Sequence, residues 1–396
     1  MPPRPSHYNV PVLSRKVTFS ADHDATFFQE LPAAAAVFSL RGDGEPYVSK
    51  TANLRRRLQR LLGPPIEHSK RLNLRDRVHE IEFTLTGSEF ESQFLLYGVL
   101  REAFPKTYSA RLRLRPAPLV KLHLENQYPR ASVTTRLSAQ RSNLYYGPFA
   151  SRAAAEKFAS DALDFFKMRR CVEDLHPDPA FPGCVYSEMK MCLAPCFKGC
   201  TDADYHAEVV RVQAFFDTAG QSLTRELGEQ RERASAELAF EEASAIHTKL
   251  DKLKPVTAQL PEIVRRIDRL QTLIVQPRGE AGSVSLFHFG EATLCGPIPF
   301  NVELRAESQS MESRVEAAIA NFPAVMAHST TERMEHLAIF KRWYYRSHRT
   351  GEIFFADDKG AWPLRRIVRG IGRVYRGEKT QEPASFFATP DQHAPS

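Results

Sequence analysis

Strict alternation of apolar and polar positions over Val78–Thr86 (VHEIEFTLT) predicts a strand with one buried face, and Ser88 then stands where a helix N-cap belongs. The apolar repeat that follows runs to about Phe104, where Pro105 ends it. Upstream, two short apolar runs, Ala35–Leu40 and Pro46–Ser49, flank Arg-Gly-Asp-Gly, a turn sequence that predicts a hairpin. Asn53 opens the next helix. Residues 1–26 show no such pattern and read as a loose leader. Hairpin, helix, strand and helix together make a small α/β unit over 27–108.

Further along, Leu119–Leu124 and Ala131–Leu137 predict strands, Leu144–Phe149 (LYYGPF) a turn, and Ser151–Lys167 a helix. Residues 203–254 place apolar side chains at helical spacing, with a break near Leu238–Phe240 that predicts an antiparallel hairpin. Strands are expected near Leu270–Val275 and Ser283–Phe289, a short segment near Cys295–Phe300, and helices near Glu312–Ala320 and Thr331–Arg346. The Pro-, Gln- and Ser-containing stretch 381–396 reads as a disordered tail. The fold class is therefore mixed α/β, of the α+β kind. Its units are 27–108, a linker and cysteine segment over 109–202, a helical hairpin over 203–256, and a C-terminal α/β region over 257–380.

Composition sharpens this only slightly. At 396 residues the chain can bury two or three cores, and 42% hydrophobic with 26% charged residues is ordinary for a water-soluble protein. No apolar run approaches the roughly 20 residues of a membrane span, and the first residues carry no signal-peptide core, so a cytoplasmic protein without a membrane partner is expected. The formal charge of +7 favours an anionic partner, nucleic acid ahead of membrane.

Cysteine placement changes the picture more. Cys171, Cys184, Cys192, Cys196 and Cys200 lie close together in sequence, and Cys295 stands apart. In a reducing compartment such a cluster predicts metal binding before disulfides. The first four follow C-x12-C-x7-C-x3-C, a set of thiolates able to enclose zinc or an iron–sulfur cluster. Four reduced, unligated thiols remain an open reading, and Cys200 is a spare. Lys167, Arg169, Arg170, Lys190 and Lys198 surround the cluster and would give it a basic surface suited to DNA.

The hairpin with its following helix, Tyr47-Val-Ser-Lys50-Thr-Ala-Asn53-Leu54-Arg55-Arg56-Arg57, resembles the N-terminal GIY-YIG nuclease domain of the UvrC excinuclease family, whose pattern runs GVY…YVGKAxNLRxR. The resemblance continues through Asn126-Gln-Tyr-Pro-Arg, Tyr145-Tyr-Gly-Pro-Phe149, Arg170-Cys171, Cys184–Cys192 and Leu193-Ala-Pro-Cys196, and so covers about residues 27–256. It implies phosphodiester cleavage by a Tyr-bound water, cations on the phosphate and a divalent metal held by a Glu. Tyr47, Lys50 and Arg57 match the family's second Tyr, Lys and Arg. Phe38 stands in place of the first Tyr and Ser49 in place of the second glycine. Leu96 replaces the metal-binding Glu of the ExEALLLExNLIK helix, which lies over Glu89–Arg101. Glu89 is seven residues before Leu96, about 10 Å along the axis, and no substitute ligand is evident. A magnesium or manganese ion would belong only to an active enzyme. The cleavage site is expected to be inactive, with Arg55 and Arg56 joining Arg169, Arg170 and Lys190 as contacts to damaged double-stranded DNA.

For the cysteine set the resemblance implies a 4Fe-4S cluster, with zinc as the alternative. The stretch Ala234–Ala243 resembles the UVR motif through which UvrC proteins dock on a UvrB-type helicase subunit. Leu238, Phe240, Glu241, Ile246 and Leu250 would then contact that partner, although an intramolecular helical linker is also open. In the C-terminal region a reduced RNase H-like remnant is considered, with Asp268 and Glu291 the only acids of note. Ile367–Arg373 resembles half a helix-hairpin-helix. The function so read is a UvrC-like, non-cleaving protein of nucleotide excision repair. The alternative is an active single-incision endonuclease of the UvrC/Cho type.

Overall fold

Capping and stripe spacing explain the first unit directly. The computed structural model of the chain describes residues 13–65, 70–138, 142–258, 260–304, 309–323 and 329–378. Strands β2 (Ala36–Gly42) and β3 (Tyr47–Thr51) form the hairpin. Asn53 caps α2 (Leu54–Leu62) by accepting from the Arg56 amide. Leu54, Leu58, Leu61 and Leu62 recur on one face of α2 and pack on Phe38, Leu40, Ile81 and Phe83. Ser88 caps α3 (Glu89–Ala103) through the Glu91 amide, directly after β4 (Val78–Leu85). The supposed leader is corrected in part. Arg15–Thr18 is β1, paired antiparallel with β4, and Ala25–Glu30 is a helix, α1, capped by Asp24. A four-residue edge strand with basic residues at its start leaves no readable period. The sheet order is β1-β4-β2-β3.

After the short α4 (Tyr108–Leu112), a second antiparallel sheet holds β5 (Leu119–Leu122), β6 (Ala131–Thr134) and β7 (Leu144–Gly147). The expected turn at 144–149 is thus a buried strand that ends at a cis Gly147–Pro148 bond. Next come α5 (Arg152–Leu163), one turn of helix, α6 (Val185–Glu188), and then α7 (Asp202–Asp217), α8 (Gln221–Ala236) and α9 (Phe240–Ala258). The break before α8 was not foreseen. Gly220 sits there at φ +90, where a Cβ would meet Thr257 Cγ2 at 2.3 Å, so the end of α9 closes onto it. Past the hairpin, β8 (Arg265–Arg266) returns to pair with β7 and completes the sheet order β6-β5-β7-β8.

The third sheet runs β11 (Thr293–Asn301), β10 (Ser283–Gly290), β9 (Thr272–Pro277), β12 (Glu352–Phe355), with every ladder antiparallel. Strand alternation divides its side chains between two cores. Leu273, Val275, Val284, Leu286 and Phe354 face α10 (Met311–Ala320) and α12 (Leu364–Tyr375). Ile274, Phe287, Phe289, Ile353 and Phe355 face α11 (Thr330–Tyr344) and join the large central core. β12 and α12 were not foreseen. Ile367–Arg373 lies inside one continuous helix, which corrects the expected half helix-hairpin-helix. Gly370 is small because a Cβ would meet Phe354 at 2.3 Å. Asp268 pairs with Arg266, Glu291 lies in the β10–β11 turn, and Asp357 accepts from the amides of Lys359 and Ala361. The tail 381–396 lies outside the described residues.

Helix α3 belongs to two cores at once. Phe90 meets Phe287 edge-on at 5.0 Å, Ser285 donates to Glu91 at 2.9 Å, and Tyr97 donates to Glu335 at 2.9 Å. Arg101 forms a two-bond pair with Glu332. Packing therefore runs unbroken past residue 108.

One half-buried base on β10 should make the third sheet acid-sensitive. His288 shares a hydrogen bond of 2.8 Å with Gln271 and lies against the Phe322 and Trp362 rings. Burial pushes its imidazole down from 6.5 to about 4. The unfolded chain therefore takes up this proton first, so the stability that His288 contributes is complete above pH 6.5 and is lost as pH falls toward 4. About 3 kcal/mol should disappear over that window, and His288→Gln should flatten that part of the profile in urea unfolding.

Candidate nucleic-acid interface and cysteine site

Alternation along β3 sends Tyr47 and Lys50 to opposite faces. Tyr47 packs on the core under α2, and Val48 packs toward α3. On the α2 side Arg57 donates to the Tyr47 hydroxyl at 2.6 Å, and Phe38, fully buried, lies 6.1 Å from the Tyr47 ring. The Arg57 Nε is buried without a hydrogen-bond partner among the described residues. On the α3 side Lys50 donates to the Glu89 carboxylate and, at 3.0 Å, to Gln93. Leu96 packs with Val37, Leu95 and Val99. The structure thus joins Tyr47 to Arg57 and Lys50 to Glu89, but does not bring the four together.

Glu89 does not replace the missing ligand at Leu96, yet it is the carboxylate of this site. It pairs with the lysine that the resemblance would place on a phosphate. The missed signal was its i,i+4 relation to Gln93 in the first turn of α3, which aims both at one strand neighbour. Arg55 donates to the Leu31 carbonyl at 2.8 Å, whereas Arg56 is exposed on the α2 surface.

The cysteine segment is a loop with three non-glycine residues in the left-handed region, Lys190, Ala194 and Lys198. Burial is the main reason the Cys192 thiol is pushed up to about 11, and the charges of Cys171, Cys196 and Cys184 add to it. The other three thiols therefore stand within electrostatic reach of Cys192. Among the described residues no three His, Cys, Asp or Glu side chains converge closely enough to hold an ion. In donor chemistry the set fits a thiophilic metal or cluster, gathered but not closed. Lys190 is exposed. Two other expected DNA contacts are corrected. Arg170 is tied to Asp164 at 2.7 Å with its side chain 13% exposed, and Arg169 is 2% exposed, bonded to carbonyls in the interior.

In the helical hairpin, Ile246 and Leu250 lie in one core with Leu223, Leu227 and Ala234. The expectation that these two face a partner is corrected, since the hairpin closes its stripe within the chain. Its tip is different. Leu238, held at φ +61, and Phe240 are 70% and 66% exposed, and Glu241 beside them is exposed too.

Residues 118–215 match the family described as UvrC/Cho excinuclease, middle domain. The span covers β5, β6 and β7 of the second sheet, the cysteine segment and most of α7. Curated relatives named UvrABC system protein C are similar over a longer stretch. Those of Rickettsia bellii and Rickettsia felis are each 28% identical over 257 residues, 64% of this chain and 39% of theirs. That of Rickettsia canadensis is 28% identical over 258 residues, 64% of this chain and 40% of its own. This chain therefore spans about two fifths of the length of the relatives it matches. No solved structure gives a significant match. No described helix is long and apolar enough to cross a membrane. The middle-domain match and the longer similarity agree: the chain carries a region that matches the UvrC middle domain and is similar to UvrABC system protein C over 257 residues.

Proposed function

We propose that this protein acts in nucleotide excision repair as a non-cleaving UvrC-type protein, holding damaged double-stranded DNA and docking a UvrB-type helicase subunit through the tip of its α8–α9 hairpin. One observation carries this reading. The two cations left from the cleavage site are engaged internally, Lys50 by Glu89 and Arg57 by Tyr47, while Leu96 and Phe38 occupy the places of a metal ligand and a hydroxyl. Phosphodiester cleavage needs a Lewis acid and an oriented nucleophile, and Leu96 and Phe38 bring neither a carboxylate nor a hydroxyl to that task. DNA contact falls to exposed cations such as Arg56 and Lys190, which bind phosphate without cutting it. Cys171, Cys184, Cys192 and Cys196 are assigned to a 4Fe-4S cluster, zinc being the alternative. Either group, when bound, would cross-link the loop, and the iron–sulfur cluster would also carry one electron.

The opposing reading, a single-incision endonuclease of the UvrC/Cho type that uses magnesium or manganese, draws on the retained Tyr47–Arg57 contact. A nicking assay on lesion-bearing duplex, with either divalent ion and purified UvrB, separates the two. The expected result is salt-dependent DNA retention with no incision. Metal-dependent nicking that disappears in Arg57→Ala would overturn the non-cleaving reading.

A further inference from the structure

Arg169 is the interior cation whose charge the protein leaves without a carboxylate. Arg55, Arg57 and Arg75, only partly shielded, bond carbonyls or a hydroxyl, and several other shielded arginines face a carboxylate. Arg101 has Glu332 at 2.6 Å, Arg170 has Asp164 at 2.7 Å, Arg265 has Glu262 at 3.2 Å, Arg266 has Asp268 at 2.7 Å, and Arg373 has Glu352 at 2.6 Å. Arg169, 2% exposed, donates from Nε to the Tyr128 carbonyl at 2.8 Å. From Nη1 it reaches the Glu173 carbonyl at 2.8 Å, the Cys171 carbonyl at 3.3 Å and the Cys171 sulfur at 3.4 Å. A guanidinium cannot shed its proton, and carbonyls solvate its charge without cancelling it. Interior charges persist when a formal opposite charge stands nearby. Sulfur is the one partner here that can carry it.

We propose that Arg169 is the built-in countercharge and hydrogen-bond donor of a thiolate-held metal group at Cys171, Cys184, Cys192 and Cys196. This rests on the reading of those cysteines as ligands. Four thiolates around zinc or an iron–sulfur core leave a net negative charge, and the guanidinium is placed to offset it through Cys171. Arg169 is thus a positioning residue. The backbone agrees: its own amide donates to the buried Tyr205 hydroxyl at 3.0 Å, and that hydroxyl donates to the Pro129 carbonyl at 2.7 Å. Both ends of the residue are pinned before any metal arrives.

The test begins with iron, sulfide and zinc content of the anaerobically purified full chain. A metal-free protein would overturn both the ligand reading and this one. With iron present, protein labelled with 15N-arginine should show a nitrogen coupling to the reduced cluster in pulsed EPR, absent from Arg169→Lys. The reduction equilibrium of Arg169→Met should shift at least tenfold toward the oxidised form, 59 mV for one electron, with part of the shift recovered in Arg169→Lys. With zinc, 4-(2-pyridylazo)resorcinol should extract the metal at least tenfold more readily from Arg169→Met or Arg169→Lys than from the parent. Loss of the carbonyl ties alone would move neither the arginine coupling nor the potential. A metal-loaded protein with no arginine coupling and an unmoved potential, or with unmoved zinc release, would overturn the role of Arg169 and leave the ligands standing. The isotope experiment needs only the parent chain, so it decides even if Arg169→Met fails to fold.

Discussion

Gly87→Ala will lower the unfolding free energy by about 3 kcal/mol, whereas Gly228→Ala, the same chemical change, will raise it by about 1 kcal/mol. Gly87 lies in the β4–α3 turn, where a Cβ would stand 2.3 Å from the Pro277 oxygen, 2.4 Å from the Pro277 carbonyl carbon and 2.5 Å from that of Arg278. All three are backbone atoms and cannot swing aside. The turn is also held from the other side, because its amide donates to Glu91 at 2.8 Å and Glu91 is bound to Ser285. One methyl group therefore pushes the first unit off the third sheet and strains the Phe90–Phe287 contact with it. Gly228 is on α8 with nothing within 4 Å of an added Cβ, so only helix propensity acts there. Urea unfolding of the two variants is the measurement. Equal shifts would mean that the α3 seam does not hold the molecule together.

The second large effect concerns the hairpin tip. Replacing Leu238 and Phe240 by Asp together should weaken binding to UvrB by about thirtyfold or more, the loss expected for an interface anchor worth about 2 kcal/mol. Thermal stability should stay within about 0.5 kcal/mol, because both side chains are exposed and touch no core. Leu250→Ala serves as the contrast, since it opens a cavity between α8 and α9 and should cost about 2–5 kcal/mol. Titration by calorimetry or surface plasmon resonance reads the first number. Undiminished affinity of the tip variant would move the docking surface elsewhere.

Local rules carried the sequence a long way. Asn53 and Ser88 cap the helices they were assigned to, and the strands at 36–42, 47–51 and 78–85 follow from turn chemistry and alternation within a few residues. What escaped depends on partners far along the chain. Arg169 reads as a surface cation by residue type, and only the Tyr128 carbonyl, 41 positions away, makes its interior site possible. The same holds for Glu89, whose link to Lys50 spans 39 positions. Strand β7 escaped because its apolar run is four residues long and stops at Gly-Pro, which punctuates turns more often than strands. Ile246 and Leu250 were correctly placed on an apolar stripe, but the stripe alone could not say whether its cover came from the same chain.

The late return of β8 has a consequence for how this protein can be divided. Tyr146 and Gly147 pair with Arg266 and Arg265, and the Ile267 amide donates to the Tyr145 carbonyl at 2.9 Å. Tyr146, Arg266 and Arg269 also converge on Asp217. A fragment ending at residue 215 would lack all of these and present a naked row of amides and carbonyls along β7 to solvent, inviting intermolecular strand addition. The α8–α9 hairpin is accordingly an excursion stapled at both feet to one ladder, so a load applied at its tip would be felt as shear between the second and last strands to join that sheet's centre and edge.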